Sequence, residues 1–151
     1  GNPGGYLQSA VYLAGEFYRG EPVVYQENAL GEQIPIKTER IGDFTNIPAV
    51  YVLIDGGSAS ASEILAAALK ANIDAVLVGQ TSFGKGTIQD AKDFNDGSGL
   101  HITIAKWLTP DKKWVHETGI EPDFEVEITE EAIENNTDSQ LDKAIELANE
   151  I

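Results

Sequence analysis

The sequence predicts an α/β fold with βαβ units and additional β-strands. Three observations carry this reading. Residues 49–54 (AVYVLI) and 75–79 (AVLVG) are short continuous apolar runs, the pattern of strands buried on both faces. A helical stretch over about residues 61–71, containing EILAAALK, lies between them, so strand, helix and strand form a parallel crossover. Residues 99–108 alternate through Leu100, Ile102, Ile104 and Lys106, a strand with those apolar residues inward and His101 on the outward phase.

The remaining elements follow in order. Asn2-Pro3-Gly4-Gly5 is a turn by composition. Leu7, Ala10, Val11, Ala14, Phe17 and Tyr18 recur at helical spacing, predicting an amphipathic helix over 6–19 that Gly20 and Pro22 end. Residues 23–26 and 33–37 read as strands around a loop at Asn28–Gly31, with Pro35 marking an edge position. Residues 87–94 do not read as a helix. Phe124, Val126 and Ile128 alternate with Glu125 and Glu127, a half-exposed strand. Leu141, Ala144, Ile145 and Ala148 outline a final amphipathic helix capped by Asp138 or Ser139. Residues 1–130 therefore form the core, and 131–151 an acidic amphipathic C-terminal helix.

Composition narrows the function. The 151 residues suit one domain. Asp and Glu outnumber Lys and Arg 25 to 10, for a net charge of −15, which argues against nucleic acid or an anionic membrane as partner. Thirteen of those acids fall in 111–151 with three lysines, a solvated outer face. There is no cysteine, so disulfides, a thiolate nucleophile and cysteine-ligated metals are excluded. His101 and His116, the two histidines, show no ligand spacing, and no metal or cofactor is expected. Without methionine and opening on a turn, the chain reads as a piece of a longer protein.

Two segments carry chemistry. Residues 57–63 (GSASASE) sit where a buried strand turns into a helix. A serine there projects beyond the sheet, beside helix N–H groups that can hold an oxyanion. The bland alternative is a capping box, since Ser60 through Glu63 fits S-x-x-E. Residues 79–89 (GQTSFGKGTIQ) follow the second strand. Gly79 through Lys85 nearly matches a P-loop, but Gly86 stands where the magnesium-binding hydroxyl belongs. Lys85 fits a general base better, a role that needs a desolvated lysine. Phe83 and the three glycines offer apolar, open surroundings for it. Both loops leave the C-terminal ends of adjacent parallel strands, so Ser60 and Lys85 fall on one rim. A Ser-His-Asp arrangement in which Asp123 orients His116 is the competing base assignment.

These motifs, NPGG (2–5), GSASASEI (57–64), GQTSFGKGTIQ (79–89), AKWLTP (105–110) and TGIEPD (118–123), resemble in order and spacing those of the C-terminal processing (tail-specific) peptidases, serine proteases of Clp/crotonase-like architecture. The resemblance runs from residue 2 to about 128. It implies that Ser60 is the nucleophile and Lys85 the general base. Gln89, taken as one helical turn past the lysine, supports that base, and the N–H groups of Gly5 and Ala61 form the oxyanion hole. It further implies an extracytoplasmic endopeptidase, anchored to the membrane through upstream sequence. Such an enzyme cuts protein or peptide substrates near accessible C-termini, with a PDZ domain upstream in the parent chain. A homo-oligomeric assembly stays open on this reading. The chain departs from the family pattern in starting one strand late, in having Ala71 where many relatives carry Asp, and in having Asp55 where Asn is frequent. These departures motivate the alternative of a non-catalytic peptide-binding or scaffold domain that retains the fold.

Overall fold

In the computed structural model, which describes residues 1–150, the chain runs α1 (Leu7–Ala14), β1 (Pro22–Glu27), β2 (Gln33–Lys37), β3 (Tyr51–Ile54), α2 (Ala61–Ile73), β4 (Val76–Gly79), β5 (Thr87–Asp93), β6 (Gly99–Leu108), β7 (Phe124–Glu125), α3 (Glu130–Glu134) and α4 (Ser139–Ala148). An antiparallel sheet has the order β2-β1-β6-β5, and a parallel sheet the order β3-β4-β7. The crossover is as predicted: β3 passes through α2 to β4, with Tyr51 opposite Val76 and Ile54 opposite Gly79. Pro35 does lie on an edge strand, β2, where its missing N–H costs no ladder bond.

Helix α2 is the hub. It packs against α1, β1 and β4. Ala66, Ala67, Ala68 and Leu69 are all buried, and the small alanines let a helix covered on several sides lie close to each neighbour. Helix α1 adds Ala10 and Ala14 to this core, with Leu7, Val11, Phe17 and Tyr18 packed around them. The predicted apolar face is therefore real, but the regular helix stops at Ala14 rather than at 19. Gly15 lies so close to the 38–40 segment that a Cβ there would sit 2.4 Å from Thr38 Oγ1, and the chain leaves the helix at this contact through short turns.

Several expectations change. β3 was expected to be buried on both faces, yet only Ile54 is fully buried and Leu53 is exposed, because β3 is the edge of its sheet. Central β4 does meet the expectation at Leu77 and Val78. On β6 the burial is reversed: Leu100, Ile102 and Ile104 are each about half exposed, while Ala105, Trp107 and Leu108 enter the core. The outer part of the β5–β6 ribbon extends beyond the core, and alternation reveals two faces without telling which one is covered. The segment at 124–128 pairs with β4 only over Phe124–Glu125. Asp138, not Ser139, caps α4, accepting the N–H groups of Gln140 and Leu141. Helix α4 packs on β3 and β4 and buries Ala144 and Gln140, while Leu141 and Ile145 stay exposed. Ile151, the last residue of the predicted C-terminal helix segment, lies outside the described residues.

Asp123 ties the 118–123 loop to β4. Its Oδ1 accepts from Lys70 Nζ (2.6 Å) and its Oδ2 from the Leu77 N–H (2.9 Å). Partial burial alone would raise this carboxyl. The hydrogen bonds from Lys70 and Leu77 outweigh it and hold the carboxyl below its ordinary range. A carboxyl lowered in the folded state stabilises the fold above its unfolded value, near ~3.9, and loses that contribution as pH falls through the folded value. Asp123→Asn is therefore expected to melt below the parent protein at pH 7, with the gap closing as pH falls through the folded value. Equal melting midpoints at pH 7 would show that the contact contributes nothing.

Candidate active site

The loop after β3 ends at Ser60, whose backbone has φ 58° and ψ −117°, a conformation that side chains other than glycine rarely adopt. Such a strained strand-to-helix turn presents a serine Oγ at the top of a sheet, as in a nucleophile elbow. The N-terminal turn packs directly on it. The Asn2 carbonyl accepts the Ala59 N–H (2.9 Å) and Ser62 Oγ (2.7 Å). A Cβ on Gly4 would lie 2.4 Å from the Ala59 carbonyl oxygen and 2.9 Å from Ser60 Cβ, and Gly4 itself has φ 94°. Only glycine satisfies both conditions. The close approach brings Gly5 beside Ala61. Among the described residues, neither the Gly5 nor the Ala61 N–H has a hydrogen-bond acceptor.

Lys85 reaches the same place from the loop after β4. Ser60, Ala61, Gly5, Lys85 and Gln89 all line one cavity of about 470 Å³. Its apolar wall is Ile64, Ile88 and Trp107. Phe83, expected to supply that wall, does not line the cavity and is 64% exposed. Gln89 lies on strand β5, not one helical turn after the lysine. It reaches the cavity all the same, because Thr87, Gln89 and Ala91 alternate onto one face of β5 and all line it. His101, expected to face outward, also lines this cavity. It shares a face of the ribbon with Ala91, its partner across the ladder.

The lysine loop is fastened by its main chain. Trp107, fully buried, donates from Nε1 to the Lys85 carbonyl (2.6 Å), and Trp114 Nε1 donates to the Gly86 carbonyl (2.8 Å). Gly84, at φ 84°, runs so near the 115–119 segment that a Cβ would meet Gly119 N at 2.8 Å. The Lys85 ammonium forms no salt bridge among the described residues.

The remaining anchor is Glu63, which sequence reading treated only as half of a capping box. It is fully buried. Oε2 accepts the N–H groups of Ser60 (2.7 Å) and Lys85 (3.0 Å), and Oε1 accepts Ser82 Oγ (2.6 Å) and the Gly84 N–H (2.7 Å). The capping contact therefore exists but is one of four. This geometry also removes the P-loop reading, because the N–H groups that would cradle a phosphate already hold a carboxylate. The His116–Asp123 pairing does not form either. His116 Nδ1 accepts the Gly86 N–H (3.3 Å) and its ring stacks on Trp114, while Asp123 is held by Lys70 and Leu77.

Comparison with known proteins shows the family and the fold. The sequence model of peptidase family S41 matches residues 1–126. The carboxy-terminal processing protease CtpA of Bacillus subtilis is 41% identical over 133 residues, covering 87% of this chain and 28% of that protein. The carboxyl-terminal-processing protease of Synechocystis is 39% identical over 149 residues, covering 97% and 34%. The solved photosystem II D1 C-terminal processing protease superposes with a TM-score of 0.74 at 31% identity, over 83% of this chain and 32% of that one. The tricorn protease, at 19% identity and a TM-score of 0.60, shares the fold. The chain thus spans about a third or less of these relatives.

The strain at residue 60 yields a test independent of activity. Ser60→Gly is expected to raise the stability of the protein by roughly 1 kcal/mol, as glycine occupies this backbone conformation without penalty. Thermal melting checks it, and a lower midpoint would show that Ser60 is unstrained.

Proposed function

The chain belongs to peptidase family S41, and on that premise we propose that it is the catalytic core of a serine endopeptidase that cleaves protein substrates near their C-termini with a Ser60/Lys85 dyad. One observation carries the reading: a serine held in a strained strand-to-helix turn shares a cavity with a lysine that has no carboxylate partner among the described residues. Neutral Lys85 takes the proton from Ser60 Oγ as the oxygen attacks the scissile carbonyl. The N–H groups of Gly5 and Ala61, without acceptors among the described residues, stabilise the oxyanion of the tetrahedral intermediate. Lys85 then gives its proton to the leaving amine. Water, deprotonated by Lys85, attacks the acyl-enzyme and frees Ser60. Gln89, on the same cavity, supports the lysine from β5.

The curated relatives' names support C-terminal processing as the reaction type. On the same reading the parent protein works outside the cytoplasm, and an upstream PDZ domain delivers the substrate's tail. The parent sequence ahead of residue 1 tests both, through a leader or anchor and a PDZ pattern.

In the full-length parent protein, Ser60→Ala and Lys85→Ala are each expected to reduce cleavage of an unfolded-tailed substrate to background, with Gln89→Ala causing a partial loss in kcat. Activity retained in either of the first two variants overturns the dyad. A parent protein that binds such tails without cutting them, and forms no acyl adduct on Ser60 by mass spectrometry, favours the scaffold reading instead.

A further inference from the structure

We infer that Glu63 is a positioning residue for the reaction: its single carboxylate fixes the nucleophile loop and the base loop in register. The inference rests on the Ser60/Lys85 reading above. A capping role explains one of its four hydrogen bonds, the one from Ser60 N–H. The other three come from Ser82, Gly84 and Lys85, a loop that follows a different strand. All four partners donate and none accepts, a set that two carboxylate oxygens satisfy completely. No cation pairs with Glu63 among the described residues.

The bonds to Oε2 matter most. The Ser60 and Lys85 N–H groups converge on the same atom, so their nitrogens lie no farther apart than two hydrogen bonds end to end. Pairing of β3 with β4 brings the two loops near each other, and one main-chain bond, from the Phe83 N–H to the Ser58 carbonyl (2.9 Å), joins them ahead of the two side chains. Glu63 adds, from the first turn of α2, the tie at Ser60 and Lys85 themselves. It has a second consequence. The Ser60 N–H, the donor next to the nucleophile, points at Glu63 and is unavailable to an oxyanion. The donor on this side of the cavity is therefore Ala61 N–H, and the committed Ser60 N–H helps hold the strained turn that aims Oγ. The tie extends outward, because Ser82 Oγ also accepts the Ile120 N–H (2.7 Å).

The test is steady-state cleavage of an unfolded-tailed protein by the full-length parent and its variants. Glu63→Gln keeps the shape but turns an N–H toward two donors. We expect kcat to fall about 10²-fold with KM within about threefold, since the loss is in alignment rather than in binding. Glu63→Asp keeps the carboxylate but falls short by one methylene, and its kcat should lie between. Ser60→Ala and Lys85→Ala run alongside. If either stays active, the dyad reading fails. If both are inactive while folded Glu63→Gln keeps kcat within about threefold of the parent, the positioning role alone is overturned. Should Glu63→Gln fail to fold by circular dichroism, Ser82→Ala decides. It removes one donor to Oε1, and kcat is expected to fall about tenfold at unchanged KM. A lowered melting midpoint with unchanged kcat would mark a merely structural role and overturn the inference.

Discussion

A carboxylate buried beneath two loops, with no counter-cation among the described residues, is the constraint on which the rest of this site depends. Glu63 has lost its water, and such a group is tolerated only when every lone pair meets a donor. Here the donors come from the main chain of both chemical loops and from one serine hydroxyl. The requirement works in both directions. The loops satisfy the carboxylate, and the carboxylate in turn dictates where the loops run. A single side chain on α2 thereby ties Ser60 and Lys85 together, beside the one main-chain bond, Phe83 N–H to the Ser58 carbonyl, that joins their loops.

The glycines around the site follow from the same crowding. Gly4 brings the N-terminal turn onto Ala59 and Ser60, and Gly84 brings the lysine loop onto the 115–119 segment, each at a distance no side chain permits. Close main-chain packing leaves little room for water, and the polar groups are paired internally, through the indole N–H groups of Trp107 and Trp114 and through Ser82. Among the described residues, the Gly5 and Ala61 N–H groups have no acceptor and the Lys85 side chain forms no salt bridge. Rigid surroundings with a few unsatisfied groups facing one cavity are the arrangement that electrostatic preorganisation requires.

Much of this was legible in the sequence, for reasons that differ by element. The β3–α2–β4 crossover showed because parallel strands and their helix have distinct apolar patterns. Ser60 and Lys85 were expected on one rim because each follows a strand of that crossover, and both do line one cavity. Gln89 lines it too, from a strand rather than from the helical turn expected. β5 itself escaped notice because its residues are nearly all exposed and carry no apolar alternation. The inward phase of β6 was misread for a related cause: half of that strand has no core beneath it, so Leu100, Ile102 and Ile104 face away while His101 lines the cavity. The short α3 has no periodicity to read.

The sequence by itself determined the family, the crossover and the two loops that meet at the cavity, because these depend on local patterns and on short motifs in a set order. Only the tertiary structure decided what holds them. Glu63 looks locally like an ordinary helix cap, and its other three partners lie 19 to 22 residues away. The strain at Ser60, the indole hydrogen bonds to the lysine loop and the cavity wall of Ile64, Ile88 and Trp107 are likewise properties of distant segments meeting. Periodicity reports which residues share a face of one element. Which face is covered, and which buried charge meets which N–H, is settled only when the elements pack.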